Sequence, residues 1–251
     1  MSLDNAVAIV TGGAQGIGFA AAQRLGERGA RLVVADRSGA EAAARALRES
    51  GFDAIAVDVD VSQPEQVAAM AQRAEAHFGR IDVLVNNAGI YSSLKPTPFE
   101  QLTMQDWRQV LDVNVIGVFL ACQAVLPAFK RAGGGRIVNI SSGVAFKGNP
   151  WMAHYVASKG AVISLTRALA TELGAHQVLV NSVAPGFTLS DGVHANPTLV
   201  EGVKGPSLRG RVLARDMVPA DLVGAIEFFA GAQAAFITGQ TLVVDGGAYF
   251  H

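Results

Sequence analysis

The sequence predicts an α/β fold, a single doubly wound domain with a seven-stranded parallel sheet and helices on both of its faces. Short runs rich in Val and Ile alternate with helical patterns from one end of the chain to the other. These runs carry few charges, as strands buried on both faces of a parallel sheet do. No linker, repeat or low-complexity tract interrupts them, so we expect one domain over residues 1–251.

The alternation of strands and helices favours right-handed βαβ units. The predicted strands are 6–10, 31–35, 54–59, 82–86, 136–140, 178–183 and 241–244. The predicted helices are 16–28, 39–50, 64–78, 103–130, 152–174 and 219–230. Residues 187–216 break this rhythm, because they lack clear periodicity and contain Gly, Pro and Asn. Loops of that length inside a compact domain are usually functional, so we predict a substrate loop or lid there, with a plain surface excursion as the alternative.

Composition argues against several classes of protein. The chain is 50% hydrophobic and 16% charged, and its net charge of −1 comes from dispersed residues, so no nucleic-acid partner is expected. The single cysteine, Cys122, suits a reducing cytoplasm and lies in an apolar helical run, where a packed thiol is expected. The N-terminus lacks the features of a signal peptide. The apolar run 113–129 contains Asn114 and Pro127 and is short for a membrane span, so it is predicted to be a buried helix.

A glycine-rich turn follows the first strand and opens the first helix. Gly12, Gly16 and Gly18 stand in a G-x-x-x-G-x-G pattern, with Gln15 and Ile17 between them. Small residues let the backbone approach a pyrophosphate, and the helix N-terminus offers free N–H groups and the positive end of its dipole. The pattern therefore favours a dinucleotide site over a plain tight turn.

Asp36 ends the second predicted strand. A carboxylate at this place can accept both hydroxyls of an adenine ribose and would repel the 2′-phosphate of NADP. Gln15 is neutral, so NAD is the favoured cofactor, whereas Arg37 is the one nearby residue that could bind the phosphate. Asp36 could instead cap the predicted helix 39–50.

Tyr155 and Lys159 are separated by one helical turn, and Ser142 precedes them on the chain. A free tyrosine is a poor base, because its pKa is about 10. An ammonium about 4 Å away, at an effective dielectric of about 20, favours the phenolate by up to roughly 4 kcal/mol, which is about three pKa units. The pair is therefore a candidate acid/base centre, although the spacing alone also fits an accidental pair on an amphipathic helix.

Taken jointly, these motifs resemble the short-chain dehydrogenase/reductase family over essentially the whole chain. The matching elements are Thr11-Gly-x3-Gly-x-Gly18, Asp60-Val61, Asn86-Asn-Ala-Gly89, Asn114, Ser142, Tyr155-x3-Lys159, Pro185-Gly186 and Val244-Asp-Gly-Gly247. The resemblance implies a Rossmann-type domain and an oxidoreductase. It also implies an Asn-Ser-Tyr-Lys catalytic set, made here by Asn114, Ser142, Tyr155 and Lys159.

The resemblance implies specific roles for these residues. Tyr155 would take the proton of the substrate hydroxyl, Ser142 would orient its oxygen, and Lys159 would hold the nicotinamide ribose while lowering the pKa of the phenol. Asn114 would anchor a water in a proton relay. The remaining cofactor residues would be Asp60 and Val61 at the adenine, Asn87 at the ribose, Ala88 and Gly89 beneath the cofactor, and Pro185, Gly186, Thr188 and Ser190 at the nicotinamide. Thr188 and Ser190 depart from the family's usual Ile or Val and Thr.

The family's pocket positions carry mostly apolar or aromatic side chains in this chain. They are Tyr91, Val144, Phe146, Trp151, Met152, Phe187 and Val193. They predict a hydrophobic, aryl or cyclic secondary alcohol or its ketone as substrate. A 3-oxoacyl thioester reductase and a sugar or polyol dehydrogenase are alternatives within the family, and an NAD-binding regulator without turnover is an alternative from another class. No metal site is expected, and the apolar helices 103–130 and 155–173 predict a homotetramer.

Overall fold

The structure is a computed structural model that describes residues 2–250. Seven parallel strands form one sheet in the order β3-β2-β1-β4-β5-β6-β7. The strands are β1 Val7–Thr11, β2 Arg31–Asp36, β3 Ala54–Asp58, β4 Val83–Asn86, β5 Gly135–Ile140, β6 Val178–Pro185 and β7 Thr241–Val244. The strand order reverses between β1 and β4, where the carboxyl ends of the strands open a crevice for ligands. The predicted doubly wound sheet is confirmed.

Helices cover both faces of the sheet. They are α1 Gly16–Glu27, α2 Ala40–Glu49, α3 Pro64–Phe78, α4 Met104–Leu111, α5 Gly117–Ala132, α6 Val144–Lys147, α7 Ala153–Leu173, α8 Asp191–His194, α9 Pro197–Arg209 and α10 Ala220–Ala230. One core cluster joins α3, α5 and α7 to the sheet, and a second joins α1, α2 and α10 to the opposite face. The predicted strands and helices agree with these bounds closely, because each follows its own apolar period.

Helices α4 and α5 run as one continuous helix through a π-helical turn at Asp112–Ile116. By length and composition alone, this helix of 29 residues is apolar enough to cross a membrane. It packs instead as a core helix against α3, β4 and β5. Cys122 is buried within it, and burial raises the pKa of the thiol to about 12. The packed thiol predicted from the sequence is therefore confirmed.

The irregular segment expected at 187–216 is largely helical, which corrects the prediction. Its glycines and Pro206 hid the helix α9 from pattern analysis. The helix begins after Asn196, whose side chain accepts a hydrogen bond from the N–H of Leu199 at 3.2 Å. Pro197 occupies the first helical position, where a missing N–H costs nothing. Leu199 is fully buried and joins α9 to a third apolar cluster that includes Met152 and Tyr155.

Candidate active site

A cavity of about 930 Å³ opens at the carboxyl ends of β1, β2, β4, β5 and β6. It lies at the switch point of the sheet, where ligands bind in doubly wound folds. Its size is in the upper part of the range found for small-molecule and cofactor sites. One end is lined by the glycine turn and the ends of β2 and β3, and the other by α6, α7, α8 and α9.

The glycine turn lies directly against the turn that follows β4. A Cβ on Gly18 would stand 2.0 Å from the carbonyl oxygen of Gly12, and one on Gly12 would stand 2.8 Å from the Cα of Ala88. The side chain of Asn87 closes this contact, because its Nδ2 donates to the carbonyls of Thr11 at 3.1 Å and Gly12 at 2.8 Å. Backbone therefore forms this wall of the cavity, as close approach to a pyrophosphate requires. The Nδ2 group of Asn87, a residue that the resemblance places at a ribose, therefore supports the glycine turn in this structure.

Asp36 reaches from the end of β2 across the glycine turn. Its carboxylate oxygens accept hydrogen bonds from the N–H of Ala14 at 3.0 Å and the N–H of Ser38 at 3.2 Å. It does not cap α2, whose N-cap residue is Gly39. Asp36 therefore lines the cavity as a negative group held by backbone, and the exposed Arg37 lines the same end.

Asp60 and Val61 follow β3 and line the cavity beside Arg37. The Asp60 carboxylate accepts hydrogen bonds from the hydroxyl of Ser62 at 2.7 Å and its N–H at 2.9 Å. The bond from the Ser62 side chain, with the charge of Arg37 as a lesser cause, lowers the pKa of Asp60. This end of the cavity is therefore edged by the carboxylates of Asp36 and Asp60 and by the guanidinium of Arg37.

Tyr155 and Lys159 lie one turn apart on α7, and both are 6% exposed. The Lys159 ammonium donates to the carbonyl of Ile140 at 2.8 Å and lies over the face of the Tyr155 ring, 5.9 Å from its centre. Ser142 follows β5, with its Oγ 3.4 Å from the N–H of Val144. All three predicted side chains line the same cavity.

The pKa of Tyr155 differs from the expectation. Burial raises the pKa of the phenol to about 12, and a hydrogen bond with the Ser142 hydroxyl acts in the opposite direction. Burial also lowers the pKa of Lys159 to about 8. Burial thus opposes the charged form of both side chains, so the lowered phenol pKa expected beside Lys159 stays a prediction for the site with its cofactor bound.

Asn114 lies in the π-helical turn, fully buried behind the cavity. Its Oδ1 accepts from the N–H of Ile90 at 2.7 Å, and its Nδ2 donates to the Ser158 hydroxyl at 3.1 Å. A Cβ placed on Gly89 would stand 3.3 Å from this Oδ1 and 3.5 Å from the Lys159 ammonium. The Asn114 amide and the Lys159 ammonium therefore both lie close to the backbone of Gly89. Such π turns often occur at functional sites.

A family-wide sequence pattern described as short chain dehydrogenase matches residues 6–198. The chain belongs to the short-chain dehydrogenase family. It is therefore an oxidoreductase that uses a nicotinamide cofactor.

Relatives of this short-chain dehydrogenase cover nearly its whole length. It is 38% identical over 245 residues to a 3-oxoacyl-[acyl-carrier-protein] reductase of Staphylococcus aureus, with 96% of this chain and 97% of that protein covered. It is 40% identical over 247 residues to cis-4-hydroxycyclohexanecarboxylate dehydrogenase of Sinomonas cyclohexanicum, with 96% and 95% covered. A solved structure of 7α-hydroxysteroid dehydrogenase, complexed with NADH and 7-oxo glycochenodeoxycholic acid, has a TM-score of 0.91 and 33% identity. That comparison covers 98% of this chain and 94% of the other.

The structure brings most of the predicted site residues of this short-chain dehydrogenase to one cavity. We call the end beside the glycine turn the cofactor end and the end beside the helices the substrate end, after the roles that the resemblance implies. At the cofactor end these are Gly12, Gln15, Gly16, Ile17, Asp36, Asp60, Val61, Asn87, Ala88, Gly89, Pro185, Gly186, Thr188 and Ser190. At the substrate end they are Tyr91, Val144, Trp151, Met152, Phe187 and Val193. Gly18 and Asn114 lie behind the cavity wall.

Phe146 does not line this cavity, which corrects its predicted place in the substrate pocket. Its ring stacks on Tyr249 with centroids 5.4 Å apart, and it borders a separate, smaller cavity. Val144 and Lys147 on the same short helix line the main cavity instead. His154 also lies outside the cavity; it is buried, and its ring centroid is 6.3 Å from that of Trp107.

Two groups of the site were missed by sequence analysis. Thr198, Val203 and Ser207 line the cavity from α9, whose pattern was obscured by Gly and Pro. Arg211 is buried behind them and donates to the carbonyls of Phe187 at 2.8 Å and Arg215 at 2.9 Å, and to the Ser207 hydroxyl at 3.2 Å.

A signal for Arg211 was present in the glycines that follow β7. A Cβ on Gly246 would stand 2.8 Å from the Arg211 Cδ, so the stem of the arginine requires a glycine there. The Asp-Gly-Gly motif that follows β7 is therefore a packing surface for the segment that covers the site.

Proposed function

We propose that this protein is an NAD-dependent oxidoreductase that interconverts a secondary alcohol and its ketone, with a hydrophobic, aryl or cyclic substrate. One observation carries the proposal. The buried phenol of Tyr155 and the hydroxyl of Ser142 line one cavity with the Lys159 ammonium, at the carboxyl end of a doubly wound sheet. This is the residue set that moves a proton to or from an alcohol beside a nicotinamide.

The residues of the crevice fit a dinucleotide. The glycine turn offers close backbone approach and the N-terminus of α1, and Asp36 offers a carboxylate at the end of β2. These would hold the pyrophosphate and the adenine ribose. A dinucleotide held by these residues would supply a hydride acceptor for oxidation of the alcohol and a hydride donor for reduction of the ketone.

The protein's own residues manage the proton. Tyr155 Oη takes the hydroxyl proton of the alcohol in oxidation and returns it to the oxygen in reduction. Ser142 Oγ donates a hydrogen bond to the same oxygen and holds it against Tyr155. The Lys159 ammonium stabilises the phenolate, and the positive charge of an oxidised nicotinamide acts in the same direction. Asn114 supports this arrangement from behind through the backbone at Ile90.

The decisive experiment is Tyr155→Phe. We expect turnover to fall by roughly 10³-fold or more, with NADH affinity nearly unchanged, because only the proton-transferring oxygen is lost. The readouts are the reduced-nicotinamide absorbance band for turnover and fluorescence titration for binding. Tyr249→Phe, outside the main cavity, is the matched control. Wild-type binding of NADH without turnover of any alcohol or ketone in a broad panel would favour the regulator instead.

The preference for NAD is supported by Asp36, whose carboxylate would repel a 2′-phosphate. The related structure that contains NADH agrees with this cofactor. We expect Asp36→Ala to lower kcat/KM with NAD and raise it with NADP, because Arg37 then meets the phosphate without a competing charge. Asp58→Asn, an exposed carboxylate on the neighbouring strand, is the matched control. An unchanged NAD to NADP ratio in Asp36→Ala would contradict this assignment.

The substrate class is supported by the apolar cluster beside Tyr155. Met152, Val193 and Leu199 form its buried part, and Tyr91, Val144 and Phe187 pack against them. Two relatives are named for cyclic alcohols, a hydroxysteroid and a hydroxycyclohexane carboxylate, which fit such a wall. The polyol alternative is disfavoured by the same lining.

A 3-oxoacyl thioester reductase is the second candidate, because several curated relatives carry that name. Initial rates with cyclic secondary alcohols, aryl ketones, a 3-oxoacyl thioester and a polyol separate the candidates. The proposal requires the cyclic or aryl substrates to have the largest kcat/KM.

We further propose a cytoplasmic homotetramer that has no nucleic-acid or membrane partner. Ile116 and Phe119 on the α4–α5 helix are 45% and 42% exposed, and Phe236 and Leu242 are exposed near β7. Two separate apolar surfaces suit two perpendicular twofold axes. Sedimentation at micromolar concentration should give four copies, and a monomer would contradict the proposal.

A further inference from the structure

The chain that follows β6 crosses the cofactor crevice and contacts the glycine turn. The N–H of Gly16, the first residue of α1, donates to Oδ2 of Asp191 at 3.0 Å. A second hydrogen bond, from Nδ2 of Asn196 to the carbonyl of Ser92 at 2.7 Å, ties the same segment to the turn after β4. Residues 188–196, named here the crossing segment, are therefore held to both turns that border the crevice.

The contact is closely packed. A Cβ on Gly16 would stand 3.2 Å from the Cβ of Ser190, and one on Gly192 would stand 2.9 Å from the Oγ of Ser92. Each of these glycines lets the crossing segment approach a turn more closely than another residue would. Ser190 and Gly192, the two neighbours of Asp191, are thus packed against the two turns, and the chain between them places Asp191 beside the Gly16 amide.

The Gly16 N–H that Asp191 occupies is of the kind that binds the phosphates of a dinucleotide. The first N–H groups of a helix have no partner within the helix, and they favour an anion. In a glycine turn between the first strand and the first helix, that anion is the pyrophosphate. A carboxylate on this amide takes up one donor and places a negative charge beside two negative phosphates, which repel it.

We propose that Asp191 competes with the cofactor's pyrophosphate for the Gly16 N–H, so that it weakens cofactor binding and couples it to release of the crossing segment. The proposal rests on the proposed function only in taking a nicotinamide dinucleotide as the ligand. Its benefit to the enzyme is faster exchange of the cofactor between turnovers, since the carboxylate replaces the phosphate as it leaves.

The test is Asp191→Asn, which keeps a hydrogen-bond acceptor and removes the charge. Isothermal titration should show NADH and ADP-ribose binding at least roughly fivefold more tightly than to the wild type, with NADH dissociating more slowly in stopped flow. Adenosine, which lacks phosphates, should bind within about twofold of the wild type. Asp191→Ala removes the acceptor too and should tighten the same two ligands.

Asp216→Asn is the matched control, because its carboxylate lies in the same part of the chain but pairs with Lys204 at 2.8 Å. It should leave all three affinities unchanged. Unchanged or weaker binding of ADP-ribose by Asp191→Asn overturns the proposal. A gain in adenosine affinity as large as the gain in ADP-ribose affinity also overturns it, because adenosine has no phosphate. A wild-type protein that binds neither NADH nor ADP-ribose would instead contradict the cofactor of the proposed function.

Discussion

The two ends of the cavity are built in different ways. The cofactor end consists of short turns at the ends of neighbouring strands, where backbone and a few polar side chains face the cavity. The substrate end is made by α6, α7, α8 and α9, whose apolar side chains form one cluster, and Arg211 ties α9 to the chain that precedes α8. The first end depends on local geometry that tolerates little change. The second depends on long-range packing, which leaves room for the pocket to vary between relatives.

Substitution of Lys159 measures how much stability the buried ammonium of the candidate active site costs. Because burial lowers its folded-state pKa to about 8, below the ordinary 10.5, the charged lysine destabilises the fold. That cost is fully present below pH 8 and disappears as the pH rises toward 10.5. We expect Lys159→Met to abolish turnover, yet to raise the free energy of unfolding near pH 7 by up to about 3 kcal/mol, less the lost bond to Ile140.

Urea unfolding at pH 7 and pH 9.5 gives the free energy of unfolding of Lys159→Met and of the wild type. The excess stability of the variant should be smaller at pH 9.5 than at pH 7. Lys204→Met, a partly exposed lysine, should change stability by no more than about 0.5 kcal/mol at either pH. A loss of stability in Lys159→Met at pH 7 would show that the bond to Ile140 outweighs desolvation.

Gly18→Ala tests the rigidity of the cofactor end. Its Cβ would stand 2.0 Å from the Gly12 carbonyl and 2.5 Å from the Asn87 side chain, so the turn must open. We expect a loss of about 1–3 kcal/mol in stability and a fall of roughly a hundredfold in kcat/KM. Gly224→Ala, on the open face of α10, should be neutral or slightly stabilising. Normal cofactor affinity in Gly18→Ala would contradict the idea that the turn tolerates little change.

Arg211 tests the packing of the substrate end. Arg211→Met removes a charged donor from the Phe187 carbonyl and the Ser207 hydroxyl. Hydrogen bonds from a charged donor contribute about 1.5–3 kcal/mol to stability, so their loss should loosen the packing of the substrate end. We expect the substrate KM to rise about tenfold or more, with NADH affinity little changed. Arg211→Lys should recover part of the loss, and Arg209→Met on the exposed end of α9 is the control. An equal loss of NADH affinity would place Arg211 in the cofactor end.

The smallest effect is expected at Phe146. Its ring stacks on Tyr249 away from the cavity, so Phe146→Leu should leave KM and kcat within about twofold of the wild type. Met152→Ala removes part of the apolar wall beside Tyr155, so it should raise KM for a cyclic substrate several-fold more than Phe146→Leu does. A larger change from Phe146→Leu than from Met152→Ala would contradict the boundary of the substrate end drawn here.

Much of the cofactor end could be predicted because its motifs sit at strand ends. Gly12, Asp36 and Asn87 lie at the carboxyl ends of three different strands, and a parallel sheet brings all such ends to one edge. The spacing of Tyr155 and Lys159 likewise determines that they share a helix face. Asn114 could be assigned to the site only through the resemblance, because nothing local distinguishes it from another polar residue in a helix.

The sequence by itself determined the succession of strands and helices along the chain, the glycine turn and the placement of Tyr155 and Lys159 one helical turn apart, since each depends on neighbours only a few positions away. Only the tertiary structure decided that α9 borders the pocket, that Phe146 turns away from it, and that burial raises the pKa of Tyr155. The contact between Asp191 and Gly16 is of the same kind, because 175 positions separate the two residues. Desolvation and long-range packing depend on what surrounds a side chain from every direction, and no local pattern encodes that.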